Sequence, residues 1–367
     1  MRIINIVDRL DRVNFGVWNA AIATAGELKR QFGVDSEIWF PGSTNEAGED
    51  ELNGALPRPL ERLDGAALKE MVRLAALDPA RDVIVTHGCW QCPTRWGRIL
   101  KEEGFSWMAV PHGMLEKWSV SQKRIRKWLY FHLIEKRSLQ LADCIRAVGK
   151  PEYRNLQKHF ARQLVRIPNG VPGQIDPPVH RSISDGATFL FMARLHHKKG
   201  ILELVEGWAA SPLSTSPRHR LKIAGPDDGE LSALRTFLGE HPELVNVEYL
   251  GGVYGEAKKA LLEQCHFYIL PSQSEGFPTS VLEAMQQGLV PIISEGCNFP
   301  EALDMGIAMR VEPSPESVSG ALARAFRLTN EDWHRRSAEG NQLVEQDYTL
   351  EVVANRQHEV FKQMLGS

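Results

Sequence analysis

Two carboxylates, Glu275 and Glu283, stand eight positions apart in the stretch ILPSQSEGFPTSVLEAMQQGLVPII at residues 269–293. A carboxylate accepts two hydrogen bonds side by side, which suits the vicinal hydroxyls of a sugar or ribose. Between the two acids, Gly276 and Phe277 offer backbone N–H groups to a phosphate or a sugar hydroxyl. Upstream, Arg194 and Lys199 lie five positions apart. One is a planar fork of donors and the other a point charge, a pair suited to a diphosphate. The sequence has no metal-binding motif, so no metal or other cofactor is expected. Two histidines, His87 and His112, are each followed by glycine at the end of an apolar run. Glycine lets the chain turn sharply there and keep the imidazole at the strand end. Either ring could equally be a satisfied structural histidine.

These groups need elements to hold them. The apolar run at 267–270 has the length of a buried strand, and 289–293 reads as a second. Between them, 272–277 reads as a loop. Pro278 with Thr279 or Ser280 gives helix-start signals, the apolar positions Val281, Leu282 and Met285 suit a short helix, and Gly288 stops it. The N-terminus of such a helix faces the carboxyl end of a parallel sheet, where α/β proteins bind ligands, and its free N–H groups favour an anion. A competing reading is local: Ser280-x-x-Glu283 is also a capping box, in which Glu283 only satisfies a backbone N–H.

Similar reasoning places strands at 2–7, 36–40, 82–86, 107–110, 144–148, 187–192, 221–225 and 245–252. Helices are expected at 17–32, 119–141, 150–160, 254–265, 315–327, 330–346 and 350–365, with a loop at 294–301. The opening strand–helix–strand unit suits a Rossmann-like half but lacks G-x-G-x-x-G, which counts against a nicotinamide or flavin dehydrogenase. The Pro-, Ser- and Asp-rich stretch 173–186 reads as a linker. It separates an N-terminal α/β domain, 1–172, from a second one, 187–348, followed by a final helix in 349–367.

The E-x7-E pair, with Pro271-Ser272 before it and Gly288-x-x-Pro291 after it, resembles the signature of glycosyltransferase family 4, retaining enzymes with the GT-B fold. Arg194-Leu195-His-His-Lys198-Lys199-Gly200 is similar to the family's G-R-…-K-G, with Ala193 in place of the glycine. Ile167-Pro168-Asn169-Gly170-Val171 resembles the segment that ends the family's first domain. Val110-Pro111-His112-Gly113-Met114-Leu115, with Trp118, resembles a subset that builds bacterial surface polysaccharides. Asn14-Phe15-Gly16 stands where the family usually has a glycine-rich loop.

The resemblance implies two Rossmann-like domains facing a cleft, the second binding the nucleotide sugar, the first the acceptor, and the last helix crossing back to the first domain. It implies transfer of a hexose from a UDP- or GDP-sugar to a hydroxyl of a glycan or lipid-linked acceptor, with retention. His112 would lie near the donor's anomeric carbon, with His87 behind it, and Val253 and Tyr254 would meet the nucleobase. Catalysis would rest on His112, Arg194, Lys199 and Glu275. Donor binding would rest on Gly16, Val253, Tyr254, Gly276, Phe277, Pro278, Thr279, Ser280 and Glu283, the last of them at the ribose. Two other readings stay open: a catalytically silent sugar-nucleotide-binding protein, and a GT-B epimerase that cleaves UDP-N-acetylglucosamine.

The composition limits the alternatives. The chain has 367 residues, 43% hydrophobic and 24% charged, with a net charge of −3. This is enough for two cores and gives no reason to expect nucleic acid as a partner. No apolar run approaches the roughly 20 residues of a membrane span, and the N-terminus lacks a signal-peptide pattern. Five cysteines fit a reducing cytoplasm. Cys89-Trp-Gln-Cys92 has no second pair at zinc spacing, and a redox role would want it opening a helix. Lys123, Arg124, Arg126 and Lys127 crowd the first half of the helix expected at 119–141. They read either as a solvated face or as a basic surface for anionic lipid at the inner membrane face.

Overall fold

The computed structural model describes residues 1–11, 14–42, 47–115, 130–160, 164–173 and 181–366. The basic segment with Lys123, Arg124, Arg126 and Lys127, and Trp118 before it, lies outside them. The chain divides into two units: Met1–Gly173 with Tyr348–Ser367, and Gln174–Asp347.

In the first unit, the inner strands are short runs buried on both faces, as continuous apolar runs in an all-parallel sheet should be, and the two edge strands are more exposed. The strands are β1 (Arg2–Ile6), β2 (Asp35–Pro41), β3 (Leu56–Leu60), β4 (Val83–His87), β5 (Ser106–Val110), β6 (Cys144–Ala147) and β7 (Leu164–Arg166). Their order across the sheet is β3-β2-β1-β4-β5-β6-β7, with parallel pairing throughout. Hydrophobic clusters cover the two sides, one built on Trp39, Trp96 and Trp107 and the other on Trp18, Ile22 and Phe40. The order reverses direction between β1 and β4, and ligands of such sheets bind outside the strand ends at that switch point.

The second unit repeats the plan. Its strands are β8 (Thr188–Met192), β9 (Arg220–Ala224), β10 (Val247–Tyr249), β11 (Phe267–Leu270), β12 (Val290–Ile293) and β13 (Met309–Arg310). The order is β10-β9-β8-β11-β12-β13, again all parallel. Its switch point lies between β8 and β11.

The last helix, Leu350–Leu365, belongs to the first unit. The chain returns where Val171 N donates to Tyr348 O at 2.9 Å and Leu350 N to Val171 O at 2.8 Å. Gly170 permits this approach, since a Cβ there would lie 3.1 Å from Tyr348 O. Farther along, Gln357 Oε1 accepts from Thr24 Oγ1 at 2.7 Å, and His358 stacks on Phe32 at 3.8 Å between ring centres.

Several elements differ from the sequence expectation. The helix expected over 17–32 is two helices, Phe15–Ile22 and Ala25–Phe32, with the break at the Thr24 that bonds to Gln357. The strand expected over 245–252 is only Val247–Tyr249, an edge strand. Residues 294–301 are not simply a loop, because a short turn of helix at Glu295–Cys297 and the start of the helix Pro300–Asp304 occupy them. Within the helix expected over 119–141, the described part is a wide π-helical turn, Phe131–Glu135, followed by Lys136–Leu139. Among the described residues no helix is long and apolar enough to cross a membrane.

Candidate active site

In the second unit two of the groups singled out by sequence, Lys199 and Glu275, meet in an ion pair beyond the carboxyl ends of β8 and β11, while Arg194 and Glu283 pair with other residues. Lys199 Nζ lies 2.7 and 2.6 Å from the two oxygens of Glu275. Their side chains are only 18% and 11% exposed. Local chemistry makes this pairing. Lys199 ends the turn His197–Lys199, which Gly200 closes at φ 71°. A Cβ on Gly200 would strike Pro271 O at 2.4 Å, so glycine lets the β8 turn lie against the end of β11. The two loops are then fastened: Gln273 N and Ser272 Oγ both donate to Lys198 O, at 2.7 and 2.9 Å. Glu275 is held from behind as well, with its N–H on Gly296 O at 2.7 Å and its carbonyl accepting from Asn298 Nδ2.

Arg194, about half exposed, donates to Asp228 Oδ2 at 2.7 Å. Ala193 sits beside Gly225, where a Cβ would lie 1.8 Å from Ala193 O, so the tight approach falls on Gly225. Glu283 accepts from Lys258 Nζ at 2.8 Å. Lys258 stands on the helix Gly255–Glu263, which begins immediately after the exposed Tyr254. The Val253–Tyr254 turn and Glu283 are thereby joined through one lysine.

The helix Thr279–Gln286 starts at Thr279 after a buried Pro278 and has no side-chain cap. The capping-box reading is therefore corrected: Ser280 is a helical residue, and its Oγ shares a 2.8 Å hydrogen bond with the Tyr268 hydroxyl, which also donates to Met192 O. Glu283 is consequently not spent on closing its own helix. Phe277 packs edge-on against Phe299 at 5.8 Å, with Gly276 beside it in the half-buried loop.

In the first unit, His87 and His112 end neighbouring strands and hydrogen-bond to each other, Nδ1 to Nε2, at 3.0 Å. His87 Nε2 continues to Asn5 Oδ1 on β1 at 3.1 Å. His112 adopts φ 54°, a left-handed conformation that costs a non-glycine residue about 1–2 kcal/mol. Buried Glu152 holds the turn by accepting from Gly113 N at 2.6 Å and from Val148 N at 2.8 Å. Burial first, then the Arg146 charge, pushes the His112 imidazole down to about 3, and burial drives His87 well below its ordinary value. Both rings are neutral at pH 7. Arg146 is buried with its guanidinium on the carbonyls of Ile167 and Pro168 and on Asn169 Oδ1, which ties the Ile167-Pro168-Asn169 segment to β6. Gly16 lies exposed in the first turn of Phe15–Ile22, with open space where a Cβ would be.

Cys92 does open a helix, Cys92–Glu102, but burial raises its thiol and that of Cys89 above the ordinary range, and both cysteines are free. That environment disfavours the thiolate a redox pair needs.

Sequence reading passed over Asn5, Glu152, Asp228 and Lys258. Asn5 carries a local signal, a lone amide inside the apolar strand RIINI. Asp228 follows the Gly225-Pro226-Asp227 turn. Glu152 and Lys258 look like ordinary helix-surface charges until the fold brings them to their partners.

Two doubly wound parallel sheets with an E-x7-E helix at the second switch point define a GT-B glycosyltransferase architecture. Solved structures agree in fold. A glycosyltransferase of Rickettsia africae ESF-5 superposes with TM-score 0.76 at 15% identity over 99% of this chain and 98% of that one. Anabaena Alr3699/HepE, solved with UDP and glucose, gives 0.74 at 14% identity over 99% and 100%. Residues 174–341 match the family model "Glycosyl transferases group 1", and residues 15–170 match "Glycosyl transferase 4-like domain". The chain belongs to this glycosyltransferase family. Among its relatives is the GDP-mannose:cellobiosyl-diphosphopolyprenol alpha-mannosyltransferase of Xanthomonas oryzae, 34% identical over 157 residues, 42% of this chain and 41% of that protein. Another is the O-antigen chain mannosyltransferase B of Escherichia coli, 25% identical over 157 residues, 42% of this chain and 40% of that protein. The match thus spans about two fifths of the length of these relatives.

Proposed function

We propose that the chain is a retaining glycosyltransferase that moves a hexose from a nucleoside diphosphate sugar to a hydroxyl of a glycan or lipid-linked acceptor, in the assembly of a surface polysaccharide. The observation that carries the reading is the Lys199–Glu275 pair at the second switch point, with Arg194 two residues after the end of the same strand, β8. Two protons of the Lys199 ammonium go to Glu275, and its third N–H remains for a diphosphate oxygen. Arg194 spends one donor on Asp228 and keeps the rest of its fork for the same group. A diphosphate then joins cations already in place, and Glu275 can accept from the sugar hydroxyls. The N-terminus of Thr279–Gln286 adds partial positive charge where negative charge grows on the leaving diphosphate. Glu283 takes the ribose hydroxyls, Val253 and Tyr254 the base, and His112 the sugar near the reacting carbon. Attack from the leaving-group face would give retention without a covalent intermediate.

The relatives' names make GDP-mannose and a polyprenyl-diphosphate-linked disaccharide the first donor and acceptor to try. The test is a transfer assay with UDP- and GDP-hexoses against lipid-linked and free glycan acceptors, with the anomer of the product determined by NMR. A product whose anomer matches the donor's is expected. Donor binding without turnover on any acceptor would favour the silent binder, and release of UDP with epimerised N-acetylhexosamine in the absence of acceptor would favour the epimerase.

A further inference from the structure

The hydrogen-bond series Asn5–His87–His112 has a direction that its end groups dictate. Asn5 Nδ2 donates to the Glu37 carbonyl at 3.3 Å, an acceptor only, so Asn5 Oδ1 faces His87. An amide oxygen accepts, which requires the proton of His87 on Nε2. In a neutral ring Nδ1 is then bare, and it can take the 3.0 Å contact with His112 Nε2 only as an acceptor. His112 must therefore donate from Nε2, and as a neutral ring it carries its lone pair on Nδ1. The opposite assignment would set lone pair against lone pair at the Asn5–His87 contact, and turning the Asn5 amide over would do the same against Glu37. The charged groups around the two rings favour neutrality: the Arg146 guanidinium is buried nearby, and the Glu152 carboxylate is occupied by Gly113 N and Val148 N.

We infer that Asn5 and His87 are positioning residues that fix His112 in the Nε2–H tautomer, so that its Nδ1 meets the donor sugar as a hydrogen-bond acceptor for a hydroxyl. The inference rests on the placement of His112 at the sugar proposed above, while the tautomer itself follows from the series alone. A neutral acceptor selects a hydroxyl-bearing sugar and adds no charge beside a carbon that becomes positive as the diphosphate leaves. The bond to the buried His87 and the Glu152 clamp on the left-handed turn keep the half-buried ring from rotating away from His87.

The full chain labelled with 15N-histidine would be examined by long-range 1H–15N correlation at pH 7, the two rings being assigned by loss of their signals in His87→Gln and His112→Gln. Both rings are expected neutral with the proton on Nε2. An Nδ1–H pattern at either ring, or an imidazolium at His112, overturns the inference without any variant having to fold for turnover. A second readout separates positioning from packing. Glutamine at 87 can donate to Asn5 and accept from His112, whereas leucine can do neither. His87→Leu should lower kcat about tenfold with the donor KM nearly unchanged, and His87→Gln should recover most of that loss. Equal rates in the two variants would contradict the positioning role. If the wild-type chain transfers no sugar at all, the proposed function fails, while the tautomer spectrum still decides the series.

Discussion

The two strand-end clusters hold their polar groups in opposite ways. In the second unit, Lys199–Glu275, Arg194–Asp228 and Lys258–Glu283 are ion pairs, each with side chains at least partly open to solvent. In the first unit, Asn5, His87 and His112 are joined in series as neutral groups, with Asn5 and His87 buried. Paired ions near solvent can exchange partners, so a diphosphate can enter by sharing a cation rather than by desolvating a bare one. A neutral buried series cannot attract an anion, but it fixes the direction of a hydrogen bond. The charged cluster suits an anion, and the neutral one suits an uncharged hydroxyl.

The contrast can be broken most severely at Glu275. Glu275→Ala should lower turnover by about a hundredfold or more while the circular dichroism spectrum stays as in the wild type. A rate close to wild type would remove the acid from the mechanism. Next in size, Arg194→Ala or Lys199→Ala should weaken nucleoside diphosphate binding by about 1.5–3 kcal/mol each, read by titration calorimetry, and His112→Gln should leave that affinity unchanged. If His112→Gln weakened diphosphate binding as much as the lysine variant, the division of labour would be wrong. A smaller effect is expected at Lys258. Lys258→Ala frees Glu283 and should change affinity for the nucleoside diphosphate by only about 1 kcal/mol or less, since its partner is partly solvated.

The smallest effect concerns pH and stability. His112 is held at about 3, and burial with the Arg181 charge brings His266 down to about 4. Unfolded imidazoles titrate near 6.5, so the unfolded chain takes up protons first, and stability is full above that value and lost as pH falls towards the folded values. His266→Gln should flatten the fall in urea midpoint between pH 6.5 and 5 relative to wild type, and identical slopes would show that His266 is not held neutral.

The legible parts of the molecule were those whose cause is local. Phe267–Leu270 and Val290–Ile293 are short buried apolar runs, and the Thr279–Gln286 helix begins at its Pro-Thr signal and stops before Gly288, so this unit could be read from the chain. The strand Leu56–Leu60, with sequence LPRPL, was not recognisable because its two prolines argue against a strand; it is tolerated at the edge of the sheet, where half its ladder is unused. The break in 17–32 falls beside Thr24, whose hydroxyl bonds to Gln357, more than three hundred positions away. In the site, residue types and strand-end positions marked Arg194, Lys199, Glu275 and both histidines. What could not be read was pairing: nothing local says that Lys199 reaches Glu275, that Lys258 reaches Glu283, or that Asn5 orders two histidines.

The most direct test is a crystal structure of the chain with bound GDP or UDP. The diphosphate should lie within hydrogen-bond distance of Arg194 and Lys199, with the ribose hydroxyls on Glu283. A nucleotide seated away from the ends of β8 and β11, with the Lys199–Glu275 pair untouched, would contradict the account.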